Sequence, residues 1–363
     1  SEIESRYFVY ARLLLMNHLA ICWFRQDLRI SDNAAFVAAA QQGDVLPVYI
    51  LDDVNAGDWK MGGASRLWLH HSLRSLNSAL NGQLQVFRGD ACEIIPRLIS
   101  ISGARSIHWN RCYEPWRIAR DKKIREQLLD SGVEAQSYNG SLLWEPWNIL
   151  KQDGQPYQVF TPYYRKACRS ADASLTPRLP LPRLNDVSFY KRPIDALGID
   201  DLNLLTGRDW EGELIAHWDV GEQGASRKLD RFLRTSIDGY KQARDIPAIQ
   251  ATSHLSPHLH FGEISPHQVW FAVNNLHDIE DHENAGHFCS ELAWREFSYY
   301  LLYHWPQLPD KAFKPKYALF PWVNNEAMLR DWQKGKTGIP IVDAGLRELW
   351  QTGYMHNRVR MIV

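Results

Sequence analysis

Between residues 19 and 138 the chain alternates five short apolar or β-rich runs with segments of helical period, joined by short links. No other feature restricts the fold so strongly. Parallel strands need a crossover of a dozen or more residues, and the crossover helix packs back on the sheet with one hand. The runs are 19–24, 45–51, 84–88, 106–109 and 134–138. The first, LAICWF, has no polar alternation, as expected of a strand buried on both faces. Helices are expected at about 34–40, 64–80, 92–100 and 119–131, with Ser31 or Asp32 as N-cap of the first. The expected product is a doubly wound, parallel five-stranded α/β domain over 18–150. Ligands of such sheets bind at the carboxyl ends of the strands, which here carry Arg25, Asp52, Asp53, Asn110 and Arg111. No G-x-G-x-x-G follows the first strand, which argues against an ordinary dinucleotide site there.

The pattern breaks over 151–223. Pro177, Pro180, Pro182 and Pro193 cluster with little periodicity, as in a long connector, and 159–164 is its one apolar anchor. From 224 to 363 the reading is helical, with helices expected at 225–235, 266–275 (N-cap Ser265), 284–303, 325–334, 340–351 and 355–363. Residues 1–17 read as an upstream extension, with Met16 as a natural start.

A length of 363 residues allows two domains, each with its own core. The net charge of −1 advertises no global nucleic-acid binding, but leaves room for a local basic groove. The five cysteines are scattered, without a CxxC pair or zinc spacing, so no metal site is expected, and the reading is a reduced, cytoplasmic protein. No apolar run reaches 18 residues, so no membrane span is expected.

Three stretches carry chemistry. In Glu291-Leu292-Ala293-Trp294-Arg295-Glu296-Phe297, helical spacing puts Glu291, Trp294 and Arg295 on one face. That mixture suits a pocket for a flat ligand with polar edges, or equally a half-buried helix whose Glu and Arg pair. Thr252-Ser253-His254-Leu255-Ser256-Pro257 offers hydroxyls and free N–H groups at a turn before a helix, which fits a phosphate or ordinary capping. In the last segment Tyr354, Asn357 and Met361 would share one stripe of a helix, an amide beside a thioether. Gly335-Lys336-Thr337-Gly338 lacks P-loop spacing and reads as a turn.

Trp23-Phe24-Arg25-Gln26-Asp27-Leu28-Arg29, the 252–262 run, Glu291 to Phe297, Trp332 to Gly338 and Met355-His356-Asn357-Arg358 occur in this order. Together they resemble the DNA photolyase/cryptochrome family, closest to bacterial cyclobutane pyrimidine dimer photolyases, over nearly all of 19–363. The resemblance implies an α/β antenna domain, a connector and a helical domain that holds FAD. It implies that Tyr240, Thr252, Ser253, Leu255 and Ser256 contact the FAD diphosphate and ribityl region, with Arg295 and Arg360 beside the flavin. Arg244, Glu291, Trp294, Asn357 and Met361 would face a lesion flipped out of UV-damaged DNA, and Trp322 would be the surface end of an electron-transfer chain. The implied activity is light-driven dimer repair by a monomer that associates with the nucleoid. The alternative is a blue-light-sensing cryptochrome without repair. The (6-4) photolyases tend to show His-His where this chain has His356-Asn357. An antenna chromophore is implied, either methenyltetrahydrofolate or a deazaflavin. Trp116 and Arg117 stand where folate-binding relatives carry Asn-Glu. Relatives continue through further helices after Arg-Met-Ile-Val, so the helical domain is expected to be incomplete here.

Overall fold

The computed structural model describes residues 18–169, 179, 184–276 and 282–363. The upstream extension, Pro177, Pro180 and Pro182 lie outside them. Strands β1 (Ala20–Phe24), β2 (Val45–Leu51), β3 (Gln85–Arg88), β4 (Ser106–Asn110) and β5 (Glu134–Tyr138) form one sheet in the order β3-β2-β1-β4-β5. Every pairing is parallel. Helices α1 (Ala34–Gln42), α2 (Gly63–Ala79), α3 (Ala91–Ser102) and α4 (Pro115–Leu129) make the crossovers. β1 and β2 are buried along their whole length, which explains their unbroken apolar runs. The strand order reverses at β1, so the carboxyl ends of β1 and β4 open a crevice.

The N-cap of α1 is Asn33, whose side chain accepts from Phe36 N at 3.0 Å, and not Ser31 or Asp32. Asp32 is occupied elsewhere. It has φ +49, its Oδ2 accepts from Ser265 Oγ at 2.5 Å, and its Oδ1 accepts from Leu179 N at 3.0 Å.

The connector is more ordered than its composition suggests. It contains α5 (Phe160–Arg169) and α6 (Asp209–Ile215). α5 grows from the apolar anchor, and its Tyr163 is 1% exposed against Phe297 and Tyr300. The helical half follows as α7 (Glu222–Thr235), α8 (Tyr240–Ala243), α9 (Ser256–Phe261), α10 (Pro266–Leu276), α11 (Glu283–His304), α12 (Glu326–Gln333), α13 (Pro340–Thr352) and α14 (Asn357–Ile362). The long helix α11 runs through its core, burying Phe288, Cys289, Leu292, Ala293, Phe297 and Tyr300.

The loop after β1 holds the two halves together. Leu28 N donates to Phe261 O at 3.1 Å. Arg29 is 1% exposed and donates to the carbonyls of Ser31, Asp32, Gly140 and Gly262. Glu222 accepts from Ile30 N and Ser31 N. Gly262 sits in the left-handed region at φ +68, and a Cβ there would lie 2.0 Å from Gln26 O. Only glycine permits this approach. The seam fixes α9, which leads from one cavity to another.

Candidate active site

The turn before α9 is built from the Thr252–Ser256 run. His254 takes φ +52, which folds the backbone so that α9 can start with Pro257 in its first turn. Tyr354 braces the turn. Its hydroxyl lies 3.0 Å from Thr252 Oγ1, and its ring stacks on His254 with centroids 4.1 Å apart. Burial, followed by the neighbouring Lys228, His356 and Arg231, pushes His254 down to about 4, so its ring is neutral near pH 7.

On α11 the anticipated pair between Glu291 and Arg295 does not form. Glu291 pairs instead with Arg244, which is 5% exposed and lies over the Tyr240 ring at 5.5 Å. Arg295 turns the other way. It donates to Ser141 O at 2.7 Å, meets Glu296 Oε1 at 3.2 Å and sits 4.9 Å from the Tyr299 ring. Glu296 is 1% exposed and accepts from Leu143 N at 2.7 Å. Burial raises it to about 7, against the pull of Arg295 and two backbone donors. One helical face therefore serves two directions. Trp294 is 46% exposed, and one face of its indole lies on Phe160 with centroids 3.8 Å apart at 11°. The rest of the side chain borders the cavity and solvent.

These groups surround a cavity of about 930 Å³. Tyr240, Arg244, Thr252, Ser253, Leu255, Ser256, Glu291, Trp294, Arg295, Asn357 and Arg360 all line it. One residue expected to face the lesion, Met361, does not line it. Met361 lies on α14 with Asn357 but is 70% exposed, its sulfur 3.5 Å from Arg358 Nη1. Trp322 is 79% exposed beside Phe320. The expected stripe also fails at Tyr354, because α14 begins only at Asn357, with His356 as its N-cap. Tyr354 reaches the cavity from the preceding loop instead. Phe160 and Glu296, which contact Trp294 and Arg295 from outside the cavity lining, were not anticipated in those roles. The first lay in the apolar anchor of the connector, and the second could not be told from a solvated glutamate in the sequence.

A second cavity, of about 450 Å³, lies at the carboxyl ends of β1 and β2. Arg25, Asp52, Trp116, Arg117 and Arg120 line it, with Leu302 and Pro306 from the helical half. His260 and Phe261 face both cavities, so α9 runs from one to the other.

Two family models match the chain, DNA photolyase over residues 20–183 and the FAD binding domain of DNA photolyase over 288–363. A deoxyribodipyrimidine photo-lyase of Agrobacterium fabrum is 43% identical over 94% of this chain and 71% of its own length. The chain belongs to the DNA photolyase/cryptochrome family. Cryptochrome-2 of Arabidopsis thaliana is 35% identical over 96% of this chain and 59% of its own length. Among solved structures, a class III photolyase from Agrobacterium tumefaciens superposes with a TM-score of 0.89 at 41% identity, covering 96% of this chain and 72% of that one. An archaeal photolyase from Sulfolobus tokodaii, described with two FAD molecules, gives 0.77 at 27% identity, covering 95% and 73%. The two-domain architecture is that of photolyases and cryptochromes, and the helical half is a FAD-binding domain of this family.

The larger cavity fits FAD in size and donor chemistry. It offers hydroxyls and backbone N–H groups at the 252–256 turn for a diphosphate, apolar walls at Leu255, Phe288 and Leu292, and the guanidinium groups of Arg295 and Arg360.

Proposed function

We propose that this chain repairs cyclobutane pyrimidine dimers in DNA in a light-driven reaction, with FAD in the larger cavity and the lesion flipped into its mouth. The observation that carries this reading is the pair of buried Arg244 with partly exposed Glu291 beside the half-exposed Trp294, on the wall of the cavity that fits FAD. Reduced FAD, once bound and excited by blue light, supplies the electron that splits the cyclobutane ring.

The protein's own groups do the rest. Thr252, Ser253 and Ser256 hold the diphosphate, and Tyr240 and Leu255 flank the chain that joins it to the ring system. Arg295 and Arg360 set positive charge beside the flavin. A damaged pair is cheaper to unstack than an intact one, which favours its extrusion. The cavity side of Trp294 receives the extruded bases, while Phe160 behind it stops the indole from turning away. Glu291 accepts from a pyrimidine N3–H, and Arg244 donates to an adjacent carbonyl oxygen. Because Arg244 also fixes Glu291, donor and acceptor are set before the lesion arrives, which lowers the cost of ordering them. Asn357 adds an amide that both donates and accepts. Met361 would have to move from its exposed position to cover the lesion, and Trp322 would take up an electron-relay role at the surface. The second cavity is assigned to an antenna chromophore, a methenyltetrahydrofolate or a deazaflavin.

Blue light should remove dimers from irradiated DNA incubated with the FAD-loaded protein, and Glu291→Gln should lower the yield per absorbed photon. An unchanged yield in that variant removes Glu291 from the chemistry. Light-induced flavin reduction without any dimer loss would favour the cryptochrome reading.

A further inference from the structure

A third cavity, of about 520 Å³, lies behind the turn that lines the larger cavity. Trp218, Thr252, Ser253, His254 and Tyr354 line both cavities and form the wall between them. The far side of the third cavity is set by α7, which presents Arg227, Lys228 and Arg231. Two acidic residues also line it, Asp219 and Glu348. Asp219 is taken by Arg227, with Oδ2 2.6 Å from Nη2. Among the described residues, the side chains of Lys228 and Arg231 form no ion pair. Lys228 is half-buried, with its ammonium 4.4 Å from the centroid of the Trp218 ring. Burial and then Arg231 lower its pKa. A half-buried ammonium, with the exposed Arg231 guanidinium on the same wall and the Thr252 and Ser253 hydroxyls across from it, favours an incoming anion over water alone.

We propose that this chamber is an anion site for a phosphate- or diphosphate-bearing group, held by Lys228 and Arg231 from one side and by the Thr252–Ser253 hydroxyls from the other. The shared wall couples it to the FAD cavity, because an anion drawn to Lys228 bears on the same turn that grips FAD. The group has two sources, the diphosphate of FAD reaching through the turn or a separate phosphorylated ligand. The coupling rests on FAD occupying the larger cavity, whereas binding of a simple anion does not.

The test is calorimetric titration of the FAD-free chain with inorganic diphosphate, followed by FAD titrations with and without it. A Kd of about 1 mM or tighter is expected, weakening as salt rises. Lys228→Gln with Arg231→Gln should weaken binding about tenfold or more, because charge-assisted contacts to phosphate are lost. Arg234→Gln, which removes a charge from the same helix outside the chamber, should leave it within about twofold. Thermal melts of each variant separate lost binding from lost fold. If diphosphate competes with FAD, the site serves the cofactor's own diphosphate. If both bind together, it takes a separate ligand and shifts FAD affinity. Absence of saturable binding, or equal loss in the Arg234 variant, overturns the proposal. Either result leaves the repair reading to its own test in light.

Discussion

Trp294 and Glu296 stand two residues apart on α11, yet each is governed by a different environment. Trp294 stacks on Phe160 yet stays 46% exposed at the cavity, the arrangement a stacking platform needs. Trp294→Ala should weaken binding to dimer-containing DNA by about 1–3 kcal/mol and leave binding to undamaged duplex nearly unchanged, measured by fluorescence anisotropy. Glu296 is fully buried, and the folded protein keeps its proton up to about pH 7, against about 4.5 for the free group. Between those values the native state binds more protons than the unfolded chain, so stability falls as pH rises through this window and levels off above it. The loss amounts to roughly 3 kcal/mol. Glu296→Gln keeps an acceptor for Leu143 N and should flatten that dependence in urea titrations run between pH 4.5 and 8 (a slope unchanged from wild type would assign the effect to another group). Neither behaviour could be read from the residue types. The sequence placed Glu291 and Arg295 within pairing distance, and only the fold gave Glu291 to Arg244 and Arg295 to Glu296.

At the level of elements, α11 and the 252–256 turn were legible because their periods and caps are local. The long helix begins and ends within a residue of the expected span, and Ser265 accepts from Gln268 N as an N-cap should. α14 was less legible. Its first turn waits for His356 to cap it, so Tyr354 is a loop residue that braces His254 rather than part of a helical stripe. α5 was read only as an anchor, because its apolar cluster is short and its partner, α11, is far away in the sequence. The junction between α9 and β1 depends on one glycine. Gly262→Ala would force a Cβ against the carbonyl of Gln26 at a positive φ, where no side chain can yield. A loss of at least about 1 kcal/mol is expected, seen as a melting temperature lowered by several degrees. An unchanged melting temperature would mean that the seam is looser than described.

Across the whole molecule, the parallel doubly wound sheet and the helical half follow from alternation and periodicity, whereas the strand order and the seam between the halves do not. Arg25 was read as part of a strand-end ligand site, and it lines the second cavity, but no role was read for Arg29. Arg29 in fact spends its donors on four carbonyls from three segments of chain, binding the sheet to the helical half. Arg29→Ala would leave buried carbonyls without donors and should cost roughly 3 kcal/mol or more in a denaturant titration. Contacts of that kind join residues more than a hundred positions apart, and no local pattern encodes them. The seam also sets the orientation of α9, whose first turn enters the larger cavity and whose last turn reaches the cavity at the strand ends. The central claim is that this arrangement repairs DNA. Its most direct test follows cyclobutane dimers in UV-irradiated DNA incubated with the FAD-loaded, reduced protein under blue light and in darkness. The expected result is a loss of dimers in light alone, with the original pyrimidines restored. Dimer levels that stay equal in light and darkness, with the flavin bound and reduced, would contradict the claim.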